Sequence, residues 1–266
     1  MDDLTPYLRL LGRDVEVAID RPLGSDHPRL GFRYEVNYGY VPGTLAGDDS
    51  EIDAYVLGQS TPLDRFVGKC IAVIARYDDV EHKLVVANVG IEPQEIAASV
   101  NFVEQYYDTF TIHHFDALGT RNAEPADFDW LLALRQQTMD PHLTAAGMTP
   151  NMPAHIEAVE KDYDWTRIVT WHGEDVGMVK LIRTDPEWHL RQIQISPAWQ
   201  GRGLGAAILA PLLCGASDAG RAIVLNVLRV NPAEKLYRRL GFEPVSESET
   251  SYKMRRPPLN MSADSA

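Results

Sequence analysis

Three glycines fall within five residues in Gln200-Gly201-Arg202-Gly203-Leu204-Gly205-Ala206. They follow an apolar run ending at Ile195 and precede a longer apolar stretch. A strand that ends, turns and feeds a helix through bare glycines aims several free backbone N–H groups at one point, in line with the positive end of the helix dipole. A pyrophosphate suits that arrangement, because it needs several donors at once and close approach of the main chain. The spacing alone leaves three readings: a phosphate cradle, the dinucleotide fingerprint Gly201-x-Gly203-x-x-Ala206, or a tight structural turn. A dinucleotide site wants an acid about 20 positions later for the ribose hydroxyls. The next apolar run ends Val227-Leu228-Arg229 instead. No Gly-Lys-Ser/Thr is present, which excludes a nucleoside triphosphate loop.

The elements that must position this loop follow from hydrophobic period. From Ala123 the chain reads as a mixed α/β series. A helix opens at Glu124-Pro125-Ala126-Asp127, with Phe128, Leu131, Leu132 and Arg135 on one face. Strands are expected at 167–171, 176–182, 190–195, 222–228 and 252–254, and helices at 205–219 and 232–240. The first part differs. Strands at 15–19, 53–57, 68–74 and 83–87 are separated by Gly-, Pro- and Asp-rich breaks. From Pro93 to Asp108 the period becomes helical, with Ile96, Val100, Val103 and Tyr107 in register. This predicts a small β-barrel closed by a helix. The division is therefore 1–115, a linker at 116–122, a second domain at 123–258 and a disordered tail at 259–266.

Charge supports two units. Residues 1–115 carry 9 Lys and Arg against 19 Asp and Glu, whereas residues 116–266 carry 16 against 19. The net charge of -13 disfavours nucleic acid and anionic membranes as partners. No apolar run approaches the ~20 residues of a membrane span, and the N-terminus shows no secretory pattern. Two cysteines, Cys70 and Cys214, provide neither a disulfide framework nor a metal cage. A cytoplasmic protein is expected, and a homo-oligomer is compatible with this composition.

The segment Asn231-Pro232-Ala233-Glu234-Lys235-Leu236-Tyr237-Arg238-Arg239-Leu240-Gly241-Phe242 separates the readings of the glycine loop. Together the two segments resemble the GNAT superfamily of acyl-CoA N-acyltransferases. The first matches that family's Gln/Arg-x-x-Gly-x-Gly/Ala loop, and the second its Asn-x-x-Ala-x-x-x-Tyr-x-x-x-Gly-Phe signature, with a one-residue variation in spacing. The resemblance implies an α/β fold with a mixed, mainly antiparallel sheet. It also implies acetyl-CoA as cosubstrate and a primary amine, on a small molecule or a protein, as acceptor. Backbone groups of Gly201, Arg202, Gly203, Leu204, Gly205 and Ala206, with Gln200, would hold the pyrophosphate. Ile193 and Ile195 would pair with the pantetheine arm, Asn231 would contact the cosubstrate, and Tyr237 would protonate the departing thiolate. Related enzymes often carry a carboxylate base on the strand before the loop. Here that strand reads Leu190-Arg191-Gln192-Ile193, and Glu174, Glu187 and His189 are not separated as alternatives. Acceptor specificity is expected from 138–163 and from loops around 184–189.

In the first domain, Asn37-Tyr38-Gly39-Tyr40-Val41-Pro42-Gly43 and Ile52-Asp53-Ala54-Tyr55-Val56 resemble family I soluble inorganic pyrophosphatases. Those are OB-type β-barrels whose acids bind Mg²⁺ ions around pyrophosphate. The resemblance implies Asp48, Asp53, Asp78 and Glu81 as metal ligands, with Asp79 as the alternative to Asp78. Yet the middle position of Asp-x-Asp-x-x-Asp is Ser50, a Lys-x-Glu pair is missing, and Asp108 stands where a Lys is expected. Efficient hydrolysis is therefore not expected. The competing readings are a metal-dependent phosphohydrolase with a GNAT accessory, and an acyl-CoA sensor without catalysis.

Overall fold

The computed structural model describes residues 3–28 and 31–258, so the expected tail at 259–266 lies outside the described residues. The chain divides into two compact units, Met1–Phe115 and Asp116–Ala266.

The first unit contains helix α1 (Thr5–Leu8), strands β1 (Asp14–Arg21), β2 (Asn37–Val41), β3 (Ile52–Val56), β4 (Arg65–Arg76) and β5 (Lys83–Ala87), helix α2 (Pro93–Glu104) and strand β6 (Thr109–His113). The sheet order is β1-β2-β3-β5-β4-β6, and an added β1–β4 pairing closes five strands into a barrel. β4 makes closure work because it is 12 residues long. Its first half pairs with β1, and its second half pairs with β5 and β6. Gly39 permits the β1–β2 contact, since a Cβ there would sit 1.9 Å from Ala18 O. Tyr55, Leu57, Ala72, Ile74 and Val85 fill the interior, with Ile96 and Val100 of α2 over them. Burying each such side chain contributes roughly 1.5–3 kcal/mol. The expected helical face does not run to Tyr107. α2 stops at Glu104, whose buried carboxylate takes Arg76 Nη2 at 2.6 Å and Tyr55 OH at 2.5 Å. Tyr107 instead covers the Arg76 guanidinium, 3.8 Å from its ring centroid.

The second unit runs β7 (Leu118–Asn122), α3 (Phe128–Ala145), α4 (Met152–Glu160), β8 (Thr166–Trp171), β9 (Glu174–Arg183), β10 (Glu187–Ile195), α5 (Leu204–Asp218), β11 (Ala222–Leu228), α6 (Ala233–Arg239), β12 (Glu243–Glu247) and β13 (Ser251–Arg256). These strands form a seven-stranded sheet in the order β12-β13-β11-β10-β9-β8-β7. Its pairs are antiparallel except β10–β11. Residues 118–122, expected in the linker, are β7, which pairs with β8 from Leu118↔Trp171 to Asn122↔Arg167. The segment 138–163, expected to vary as a specificity region, is largely helical: it holds the end of α3 and all of α4. Asn151 starts α4 by accepting the Ala154 N–H at 2.9 Å. Leu131, Leu134 and Val159 anchor α3 and α4 on Ile168 and Met178 of the sheet.

Candidate acyl-donor site

The parallel pair β10–β11 is bonded from Glu187↔Ala222 only to Leu190↔Leu225. Beyond that point β10 continues to Ile195 along β9, with an irregularity between Leu190 and Gln192. β11 stays paired with β13 from Ile223 to Leu228, but its residues Asn226 to Leu228 are no longer paired with β10. The two strands therefore splay. On its β11 side, the stretch carrying Ile193 and Ile195 has no strand paired to it among the described residues. An extended chain with amide groups can be received there in the manner of strand addition. A cavity of about 400 Å³ occupies the opening, with Gln192, Ile193, Asn226, Asn231, Tyr237 and Arg135 in its wall.

The glycine loop follows directly from β10. A 3₁₀ turn at Pro197–Trp199 reverses the chain, and Gln200 Nε2 donates to Ile195 O at 2.8 Å, tying the loop to the strand end. Gly201 has φ 74° and Gly203 φ 84°, left-handed values that side chains resist. Gly203 occupies the N-cap of α5 with no side-chain cap. The first intrahelical bond runs from Ala207 N–H to Gly203 O at 3.3 Å. Leu204, Gly205 and Ala206 therefore have N–H groups that the helix itself does not use. A Cβ at Gly201 would meet nothing within 4 Å, so the cradle is open on that side. Gly205 differs: a Cβ there would lie 3.1 Å from Leu236 Cδ2, so this glycine lets α6 approach α5. Arg202 folds back, with its guanidinium 4.8 Å from the Trp199 ring centroid.

Tyr237 is brought to the same cavity by α6, with its ring edge-on to Phe242 at 5.8 Å. Burial pushes its pKa up to about 12, because the phenolate would lose its hydration. Asn231 also lines the cavity, although its Oδ1 is engaged in capping α6, accepting Ala233 N–H at 2.9 Å. Of the acids left open as bases, Glu187 is paired with Arg255 Nε at 2.6 Å. Glu174 is exposed at the start of β9, and neither it nor His189 is among the residues lining this cavity.

Sequence reading missed three groups here. Lys180, 1% exposed within β9, donates to the carbonyls of Ala158, Val159 and Lys161 at 3.1, 3.0 and 2.6 Å, holding the end of α4. Burial lowers its pKa to about 8, against the opposing charge of Asp162. Gln194 is 5% exposed, and its Oε1 accepts no hydrogen bond from the described residues. Arg135 is the third. The one legible signal was a cation on an otherwise apolar face, for Lys180 in Val179-Lys180-Leu181 and for Arg135 in its helix.

In the first unit a smaller cleft of about 110 Å³ is lined by Asp48, Ser50, Asp53, Glu81 and Lys83. Lys83 Nζ donates to Asp53 Oδ2 at 2.6 Å and to Glu81 Oε2, and Tyr38 OH donates to Asp53 at 2.5 Å. Asp20 has a raised pKa, from burial first and from the Asp53 charge as well. Asp78 does not line this cleft; its carboxylate takes the Asp108 N–H at 3.0 Å. Among the described residues no three His, Cys, Asp or Glu side chains are arranged to hold a metal ion. Of the four expected ligands, Asp48, Asp53 and Glu81 thus line one cleft, where Asp53 and Glu81 share the Lys83 ammonium, and Asp78 does not line it.

Comparison with known proteins agrees with both halves. Residues 162–244 match the family model described as acetyltransferase (GNAT) domain. Residues 19–119 match that for inorganic pyrophosphatase. N-alpha-acetyltransferase RimI of Mycobacterium tuberculosis is 38% identical over 80 residues, covering 29% of this chain and 49% of that protein. The chain thus spans about half the length of this curated relative. Among solved structures, the PaiA N-acetyltransferase of Thermoplasma acidophilum in complex with coenzyme A is 14% identical, with a TM-score of 0.44 over 53% of this chain and 98% of that one. An acetyltransferase from Thermus thermophilus is 22% identical, with a TM-score of 0.45 over 54% and 99%. The chain thus joins a unit similar to inorganic pyrophosphatases to one similar to GNAT acetyltransferase domains.

Proposed function

We propose that the second unit transfers an acetyl group from acetyl-CoA to a primary amine by direct attack. The observation that carries this is the splay of the β10–β11 pair beside a cavity lined by Tyr237, with the uncapped start of α5 following from the end of β10. Main-chain groups of Gly201 to Ala206 bind the diphosphate. The free edge of β10 at Ile193 and Ile195 aligns the pantetheine amides, placing the thioester in the splay. The acceptor nitrogen then bonds to the thioester carbonyl carbon and gives up a proton to solvent, and the carbon–sulfur bond breaks. Tyr237 donates its phenolic proton as charge develops on sulfur. Tyr237→Phe removes that proton but keeps the ring packed on Phe242. In acetyl-CoA-dependent thiol release, kcat should fall by about 100-fold, with KM for acetyl-CoA nearly constant. Unchanged turnover would remove Tyr237 from the reaction.

For the first unit we infer a barrel without efficient pyrophosphate hydrolysis. Ser50 replaces a carboxylate at the cleft, and the Lys83 ammonium is engaged with Asp53 and Glu81.

A further inference from the structure

The wall of the 400 Å³ cavity contains two guanidinium side chains, Arg135 and Arg191, and no Asp or Glu among the described residues. In a chain of net charge -13 that sign is unexpected. Arg191 is loosely neutralised, its Nε 3.9 Å from Asp162 Oδ2. Arg135 has no such partner. It stands on α3, lining the same cavity as Tyr237, and its Nε is buried without a hydrogen bond to any described residue. The groups acting on it are Asp140 on its own helix and the buried Lys180 ammonium on the sheet. Asp140 is drawn toward α4, where its Oδ1 lies 2.8 Å from His155 Nε2. A buried guanidinium N–H with no acceptor costs free energy, and a ligand oxygen at that point would remove the cost. On the sheet side of the same cavity, Gln194 Oε1 is a buried acceptor without a donor, suited to an amine N–H.

We propose that Arg135 selects the acceptor: an amine carrying a carboxylate near its nitrogen, with the carboxylate received by Arg135. The assignment rests on the acetyl-transfer reading of this cavity and adds to it the chemical class of the second substrate. Polyamines and lysine-rich segments are disfavoured, since they would bring more positive charge against two guanidinium groups.

The test uses the full chain, acetyl-CoA and three C-terminally amidated peptides beginning Ala-Glu-Glu, Ala-Gln-Gln and Ala-Lys-Lys. Wild type should favour the Glu peptide over the Gln peptide by about tenfold or more in kcat/KM, as expected for a charge-assisted pair, and should use the Lys peptide least. Arg135→Met should erase the preference and leave KM for acetyl-CoA unchanged. Arg135→Lys, which keeps the charge without the fork, should restore part of it, and a melting curve identifies any variant that fails to fold. Equal use of the three peptides by wild type, preference for the Lys peptide, or a preference that survives in Arg135→Met overturns the proposal. If coenzyme A binds but no peptide is acetylated, equilibrium binding of the Glu and Gln peptides to the coenzyme A complex reads the same ratio. A ratio near one there also overturns it. If coenzyme A itself does not bind, the acetyl-transfer reading fails first and the acceptor assignment falls with it.

Discussion

At the scale of single residues, the chemistry depends on a phenol whose proton is held tightly. Burial raises the Tyr237 pKa to about 12 because the charged form is disfavoured there. The sign follows directly: the protonated form persists as pH rises, and it is lost only near the top of the alkaline range. The kcat profile of the wild type should therefore show no fall between pH 7 and 10 attributable to this group. A descending limb with midpoint near 10 that disappears in Tyr237→Phe would show a hydrated tyrosine and contradict the assignment. Tyr237 and the glycine loop could be singled out in the sequence because their types and spacing are themselves the signal. Arg135 and Gln194 were not. Their surroundings arise only on folding: Arg135 stood out as a cation on an apolar helix face, but that does not say what it faces, and nothing in Ile193-Gln194-Ile195 marks Gln194 as a cavity wall.

At the scale of elements, the splay between β10 and β11 is the feature that makes a site from a sheet. The end of α4 is tied to the neighbouring strand β9, where Lys180 donates to three carbonyls at the end of that helix. Gln192 Nε2 adds a fourth contact to Ala158 O at 2.8 Å. Lys180→Met keeps the apolar stem and takes the ammonium donor from the Val159 and Lys161 carbonyls, while Ala158 O keeps Gln192 Nε2. Chemical denaturation should show a loss of about 2–4 kcal/mol, since unpaired buried carbonyls cost roughly 1–3 kcal/mol each with partial relaxation. A loss under about 0.5 kcal/mol, the range of an ordinary surface substitution, would show that the helix end is held by packing alone. The strands with strong alternation or continuous apolar runs were readable in advance. β12 was not, because Glu243–Glu247 is exposed along its whole length and carries no alternation to read. β7 was assigned to a linker because Leu118–Asn122 has one apolar residue in five; its identity comes from pairing with β8. α4 is not among the expected helices, although Asn151 caps it and a proline in the first turn starts helices well.

At the scale of the whole molecule, two units with separate cores carry two different kinds of cleft. The barrel retains the glycines and tyrosines that build an inorganic-pyrophosphatase-like fold, while the acids around its cleft are rearranged into hydrogen bonds with Lys83 and Tyr38. Phosphate release from pyrophosphate with Mg²⁺ or Mn²⁺ should accordingly stay near background for the intact chain. Turnover at the usual median for enzymes, about 10 s⁻¹, would show that Ser50 does not disable the cleft. The central claim concerns the other unit, and calorimetric titration of coenzyme A into the intact protein, wild type and Gly203→Val, tests it most directly. A one-to-one binding heat in wild type, weakened at least about tenfold where a side chain is forced into the left-handed cradle, is the result the account predicts. No heat in wild type, or equal affinity in the two proteins, would contradict it.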